Sequence, residues 1–254
     1  MSLLEVDALE AGYDVFIEKP AFLRKEQVEA AFAIAKRSTA LLVEMFMYRH
    51  TNLYWRLLEW WNTCQERVVQ IDINFLIPTN PAGTFRQEND IESSCLYDIG
   101  CYPLSLLADL ELPVDRLALA AVAHPDDPAR EMVELGGDAG GRAVRARIGI
   151  DAEYKNLVSF RMRDGSAITY RPFFYGRPGS RRITSDTTGS VTETILEEGN
   201  AFERMFAVDR TIWRRTQAER MRTALAVTKG LERLASELRT VRSGPGVLER
   251  IRDS

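Results

Sequence analysis

Hydrophobic positions along the chain follow one spacing near the front and another after residue 50. Val6 to Ala11 is a short helical stretch closed by Gly12, a natural helix terminator. Asp14-Val15-Phe16-Ile17 is a compact apolar strand of the kind buried in a parallel sheet, and Pro20 stops it. Lys25 to Arg37 places Val28, Ala31, Phe32 and Ala35 on one helical face. Ala40 to Phe46 is a second buried strand. Strand, helix, strand at this spacing predicts a right-handed crossover unit, part of a doubly wound fold.

After Arg49 the character changes. Asn52 to Thr63 predicts an amphipathic helix carrying Trp55, Trp60 and Trp61, and Val68 to Ile77 alternates as a strand does. Pro78 to Asn89 reads as loop. Ser93 or Ser94 caps a helix running through Leu96, Ile99 and Leu104 to Leu110, with Pro103 marking a kink. From Arg116 onward strands dominate: Leu117 to Ala123, Arg142 to Asp151, Tyr154 to Arg163, Ser166 to Pro172, Ser180 to Thr184 and Ser190 to Glu197. Arg163-Asp164-Gly165-Ser166 supplies a hairpin turn. Gly136 to Gly141 reads as a glycine-rich surface turn. A long helix from Phe202 to Leu238, broken near Asp209, closes the pattern. The fold class expected is α/β: a partial crossover unit, then an α+β domain with a large open, mostly antiparallel sheet. The division falls near residue 50, separating 1–50 from 51–254.

Composition narrows the function. The chain has 254 residues with 45% hydrophobic content, enough for a sizeable core. A formal net charge of -4 and a pI of about 5.5 supply no general attraction to nucleic acid or to an anionic membrane. No apolar run approaches the ~20 residues of a membrane helix. Met1 to Asp14 carries no basic region followed by an apolar run, so no signal peptide is expected. Cys64, Cys95 and Cys101 are too few and too irregular for a disulfide framework or a zinc site, which suits a reduced cytoplasmic setting. With only His50 and His124, a histidine-based triad or metal site is not expected.

Two short segments carry candidate chemistry. Glu18-Lys19-Pro20 directly follows the first strand, and a lysine at the carboxyl end of a parallel strand points into the crevice where such sheets bind ligands. Asp98-Ile99-Gly100-Cys101-Tyr102-Pro103 places Asp98 and Tyr102 four apart, on one face of a helix. Singly, each is more simply a solvated lysine or a pair of residues bonded in the wall of the core.

Together, with a second strand ending in Met47-Tyr48-Arg49, they resemble the glucose–fructose oxidoreductase / inositol dehydrogenase family. Order and spacing agree from about Leu3 to the end. Asn200-Ala201-Phe202-Glu203-Arg204-Met205-Phe206 is also similar to that family's carboxy-terminal region. The resemblance implies a Rossmann-type dinucleotide-binding domain, of which residues 1–50 match only the later part. It implies NAD or NADP as cofactor and a sugar or sugar nucleotide as substrate, in a homodimer or higher homo-oligomer formed through the open sheet face. By the same resemblance Lys19 and Tyr102 are catalytic, with Asp98 as their acidic partner. Glu18, Lys19 and Pro20 lie at the cofactor, Pro20 in a turn often preceded by a cis peptide bond. Tyrosine at 102 resembles the branch with dihydrodiol dehydrogenase and the sugar-nucleotide ketoreductases. Arg49, His50 and Arg86 are substrate-binding candidates, His50 set against a surface or wall histidine and Arg86 against a solvated arginine. Arg214, Arg215, Arg220 and Arg222 read as a solvated helix face.

The chemistry suits the residue types. Reducing a ketone by hydride leaves an alkoxide that needs a proton. Free tyrosine titrates near ~10, and a neighbouring ammonium favours its phenolate and also stabilises the developing alkoxide. Two departures stand against the resemblance. Glu92-Ser93-Ser94-Cys95 occupies the place of a glycine cluster common in relatives. No G-x-G-x-x-G precedes the first strand, where a complete fold carries roughly 60 residues of further crossover units. The chain therefore reads as an incomplete form of such an enzyme, or alternatively as a non-catalytic dimerisation or carbohydrate-binding module.

Overall fold

The computed structural model describes residues 3–78, 94–127, 130–174, 180–196 and 199–243. Its front is a small parallel unit. Helix α1 (Leu3–Glu10) ends before Gly12, whose φ of 85° only glycine adopts without strain. Strand β1 (Val15–Glu18), helix α2 (Lys25–Ser38) and strand β2 (Leu42–Met45) follow, with β1 and β2 paired in parallel. The four apolar positions read from the sequence, Val28, Ala31, Phe32 and Ala35, are the buried face of α2. They pack on Leu9, Val15 and Ile17, and on Ala224 of the last helix. The opposite face of the two strands, through Phe16, Leu41 and Val43, meets Met205 and Trp213. Covering on both faces explains why both strands read as continuous apolar runs.

Phe46 leads into a 3-10 turn over Met47–His50, where a strand end was expected. Helix α3 (Asn52–Cys64) and strand β3 (Val68–Ile77) come next. Past residue 93 lie α4 (Cys95–Asp98) and α5 (Cys101–Asp109). Seven strands then join β3 in one sheet: β4 (Leu117–Ala123), β5 (Met132–Asp138), β6 (Ala143–Ile150), β7 (Lys155–Met162), β8 (Ala167–Arg171), β9 (Arg181–Ser185) and β10 (Val191–Ile195). Their order is β10-β9-β8-β7-β3-β6-β5-β4, and only β3 and β6 run parallel. Helices α6 (Ala201–Phe206), α7 (Arg210–Arg215) and α8 (Gln217–Ser243) replace the single long helix. Asp209 caps α7 by accepting the Thr211 N–H at 2.7 Å, which places the break where the sequence put it. Among the described residues no helix is long and apolar enough to cross a membrane.

Three expectations need correction. Gly136 and Gly137 lie within β5, paired to β4 and β6; the turn itself is made by Gly140 and Gly141, both at positive φ. A Cβ at Gly137 would sit 2.3 Å from the Arg116 carbonyl oxygen, so this strand needs glycine for close approach. The helix from Leu96 to Leu110 breaks at Ile99–Gly100 and not at Pro103. Pro103 is the third residue of α5, where its missing N–H has no helical acceptor to lose. Finally, the apolar strand residues Val158, Phe160, Ile168 and Tyr170 suggest from sequence that both sheet faces are apolar, and the structure corrects this. All four are buried on the helix-covered side with Leu57, Trp61, Leu107 and Leu231. The open face is polar: Glu134 is bracketed by Arg145 and Arg147 at 2.7 and 2.8 Å, and Ser159 bonds Thr169 at 2.9 Å.

Candidate active site

The site forms where the carboxyl end of β1 meets the break between α4 and α5. Beyond Glu18 the chain turns through a cis Lys19–Pro20 bond. The Lys19 Nζ donates to the Asp98 backbone oxygen at 2.7 Å and to Asp98 Oδ1 at 2.9 Å. The same ammonium lies 4.8 Å from the centroid of the Tyr102 ring. Lys19, Asp98 and Tyr102 thus converge across 79 residues of chain, with side chains of Lys19 and Asp98 only 13% and 5% exposed.

Local sequence explains the shape of the break. Ser94 caps α4, its hydroxyl accepting the Leu96 N–H at 3.1 Å. Asp98 ends that short helix. A Cβ on Gly100 would lie 2.3 Å from the Leu96 carbonyl oxygen and 2.9 Å from Ile148 Cδ1, so the chain can turn here only because residue 100 is glycine. Tyr102 then enters α5 as its second residue. Its ring is set by edge and tilted contacts with Phe46, Phe75 and Phe174, at 5.6, 5.1 and 5.5 Å between centroids, and its hydroxyl lies 3.9 Å from Met47 Sδ. An ammonium held by a carboxylate against a phenol can stabilise an oxyanion, and the phenol can exchange a proton with it. Lys19 approaches the ring face, a cation–π geometry that also favours the phenolate over the phenol.

The remaining candidates are placed differently. Glu18 is exposed at the end of β1 and Pro20 is half-buried in the turn. Arg49 pairs with both oxygens of Asp109, Nε to Oδ2 at 2.8 Å and Nη2 to Oδ1 at 3.0 Å, while its guanidinium covers the Phe46 ring at 4.7 Å. Burial by itself would lower the Arg49 pKa, but Asp109 outweighs it and holds the group charged. His50 is half-buried against Trp213, 5.4 Å between ring centroids. Arg86, like Ser93, lies outside the described residues. Arg220 is not part of a solvated face: it is half-buried over Trp213 at 4.8 Å and donates to the Trp213 carbonyl oxygen at 2.7 Å. Among the described residues no group of three or more His, Cys, Asp or Glu could hold a metal ion.

Asp109 and Glu44 were not singled out from sequence. Each is a lone carboxylate inside an apolar run, Leu104-Ser105-Leu106-Leu107-Ala108-Asp109-Leu110 and Leu41-Leu42-Val43-Glu44-Met45-Phe46, and that interruption is the signal that could have found them. Asp109 also accepts the hydroxyls of Tyr48 and Tyr54, at 3.3 and 3.1 Å. The Tyr48 hydroxyl meets Ser105 Oγ at 2.8 Å, and that hydroxyl donates to the Tyr102 carbonyl oxygen at 2.8 Å. The network therefore ties Arg49 to the backbone of the catalytic candidate.

His50 gives a pH prediction. Burial, then Arg49 and Arg220, push its pKa down to about 4. The folded state binds its proton less readily than the unfolded chain, whose histidines titrate near ~6.5. Stability from this group is complete above the unfolded value and is lost as pH falls from there through about 4. Urea midpoints measured from pH 7.5 to 4 should fall across that window, and His50→Phe should flatten the fall. An equal slope in the variant would assign it to other groups.

No family model matches the chain. It is similar to dTDP-3,4-didehydro-2,6-dideoxy-α-D-glucose 3-reductase of Actinomadura kijaniata, at 32% identity over 176 residues, 65% of this chain and 51% of that protein. The protein of the same name from Streptomyces violaceoruber is 28% identical over 183 residues, 69% of this chain and 52% of its own. The chain thus spans about half the length of the curated relatives it matches. Among solved structures, a 3-ketoreductase from Actinomadura kijaniata in complex with NADP and TDP-benzene aligns with a TM-score of 0.69 at 21% identity, over 95% of this chain and 74% of that one. Solved variants of that enzyme carry tyrosine-to-phenylalanine and lysine-to-glutamate changes. An aldose-aldose oxidoreductase from Caulobacter crescentus, complexed with glycerol, aligns with a TM-score of 0.75 at 16% identity, over 92% and 73% of the two chains. These structural likenesses show the fold: the small parallel unit followed by the open sheet.

Proposed function

Because the chain belongs to the glucose–fructose oxidoreductase / inositol dehydrogenase family of oxidoreductases, we propose that it is the substrate-binding and proton-transfer part of an NAD(P)-dependent sugar-nucleotide ketoreductase. Residues 51–254 would form the substrate and oligomerisation domain, and residues 1–50 the later part of the dinucleotide-binding domain. The observation that carries the reading is the convergence of Lys19, Asp98 and Tyr102 at the carboxyl end of a parallel strand. The relatives' substrates point to a keto sugar carried on a nucleoside diphosphate.

The residues present fit one end of a nicotinamide cofactor. The turn Glu18-Lys19-Pro20 would hold the nicotinamide end, and the described residues offer no glycine-rich turn at a helix N-terminus for the pyrophosphate. A nicotinamide, when bound, would supply or accept the hydride. Tyr102 gives its hydroxyl proton to the substrate oxygen as the ketone becomes an alcohol, and takes it back in the oxidation. Lys19 stabilises negative charge on that oxygen, and Asp98 fixes the direction of the ammonium. Phe46, Phe75 and Phe174 keep water from the phenol ring.

The decisive assay places a nucleotide-binding segment ahead of this chain and follows NADPH oxidation with a dTDP-linked keto sugar. Turnover is the expected result; its absence in a folded, cofactor-binding fusion would leave the chain a non-catalytic module. For the chain alone, calorimetry with NAD and NADP in both redox states should show no dissociation constant as tight as a few ~µM, the lower range of ordinary metabolite sites. A homodimer or higher oligomer through the open sheet face is part of the same proposal, and a cytoplasmic location goes with it. With Glu134, Arg145 and Arg147 on that face the contact would be polar. Light scattering after size exclusion should give at least twice the monomer mass, and a clean monomer at micromolar concentration would reject that part.

A further inference from the structure

Glu44 has no role in the mechanism above, yet it is the charged residue of β2 that lies beside the turn carrying Lys19. It pairs with Ile17 across the parallel ladder. Its Oε1 accepts the backbone N–H of Ala21 at 2.9 Å, immediately beyond the cis Lys19–Pro20 bond. Ala21 and Phe22 behind it are buried, so this bond is shielded from water. Burial raises the Glu44 pKa, the charges of Arg49 and Lys19 oppose that rise and the charge of Asp109 adds to it. From the α4–α5 side, Cys101 lies within the field of Lys19, Glu44 and Asp98 together.

We propose that Glu44 is a positioning residue for Lys19: it locks the Lys19-Pro20-Ala21 turn through the Ala21 N–H and, with Asp98, supplies the negative field in which the ammonium sits. The two functions separate chemically. Glutamine at 44 keeps an oxygen acceptor for Ala21 and loses the charge; alanine loses both. The proposal rests on the reading of Lys19 as the charge-stabilising group, but its test involves neither cofactor nor turnover. Failure here therefore leaves the oxidoreductase reading standing.

The test uses the full chain labelled with carbon-13 at the lysine side chains. There are five, Lys19, Lys25, Lys36, Lys155 and Lys229, so the Lys19 signal is assigned by its loss in Lys19→Arg. The Lys19 Cε resonance is followed from pH 4 to 9 in wild type, Glu44→Gln and Glu44→Ala, together with exchange of the Ala21 amide. Wild type should show a step in the Lys19 signal from Glu44 protonation, and Glu44→Gln should lose that step. The Ala21 amide should stay protected in Glu44→Gln and exchange about tenfold faster or more in Glu44→Ala. Unchanged signals from the other four lysines verify that the variants fold. Superimposable Lys19 curves in wild type and Glu44→Gln would overturn the field, and unchanged Ala21 exchange in Glu44→Ala would overturn the lock.

Discussion

Tyr102→Phe, in a fusion of this chain to a nucleotide-binding segment, should lower turnover by about 10²–10⁴-fold, the usual worth of a positioned proton donor. The ring contacts with Phe46, Phe75 and Phe174 involve carbon atoms that phenylalanine keeps, so the fold should hold. The loss should fall on kcat and leave KM nearly unchanged, because in the proposed mechanism the hydroxyl acts on charge that develops only during reaction. Lys19→Met should be at least as damaging to turnover, since it removes both the field on the phenol and the stabilisation of the alkoxide. It should also cost stability, which Tyr102→Phe should not. Asp98 is 5% exposed and holds Lys19 at 2.9 Å, so removing the ammonium strips a counter-ion from a buried carboxylate. Full-speed turnover in Tyr102→Phe would make the Asp-x-Gly-x-Tyr segment structural only.

Asp109→Ala is expected to destabilise the fold by about 3–5 kcal/mol, as breaking a buried ion pair does. The Arg49 and Asp109 side chains are 16% and 10% exposed. Removing the carboxylate strands the Arg49 guanidinium and takes the acceptor from the Tyr48 and Tyr54 hydroxyls at once. Burial, then Asp109, raises both phenol pKa values, so the tyrosines remain neutral donors to it. The double variant Arg49→Met with Asp109→Leu should recover the part of the loss that comes from the stranded guanidinium, because an apolar pair of similar volume carries no desolvation cost, while the Tyr54 hydroxyl stays without its acceptor. Urea unfolding at neutral pH measures both. A loss below about 1 kcal/mol in Asp109→Ala, the worth of a surface pair, would show that water reaches the network.

Spacing along the chain determined the elements wherever a side chain had to choose a face. Val28, Ala31, Phe32 and Ala35 announced α2, and the alternation of Val68 to Ile77 marked β3 to its ends, because burial on one side leaves a period in the sequence. Glycine leaves none, having no side chain to place, and the last residues of β5, from Gly136, accordingly read as part of a turn over Gly136 to Gly141. The same limit applied at Gly100: Pro103 is the more visible helix breaker, but the turn was decided by Ile148 and the Leu96 carbonyl pressing where a Cβ would stand. Val158, Phe160, Ile168 and Tyr170 announced strands, while which face stayed open, and that it is polar, depended on where α3, α5 and α8 packed. For the site, Lys19 and Tyr102 were joined in sequence only by resemblance. Their approach, the 60-residue reach from Arg49 to Asp109 and the contact of Glu44 with Ala21 are products of tertiary packing. Local periodicity records which side of an element is buried; it holds no record of which distant side chain is buried against it.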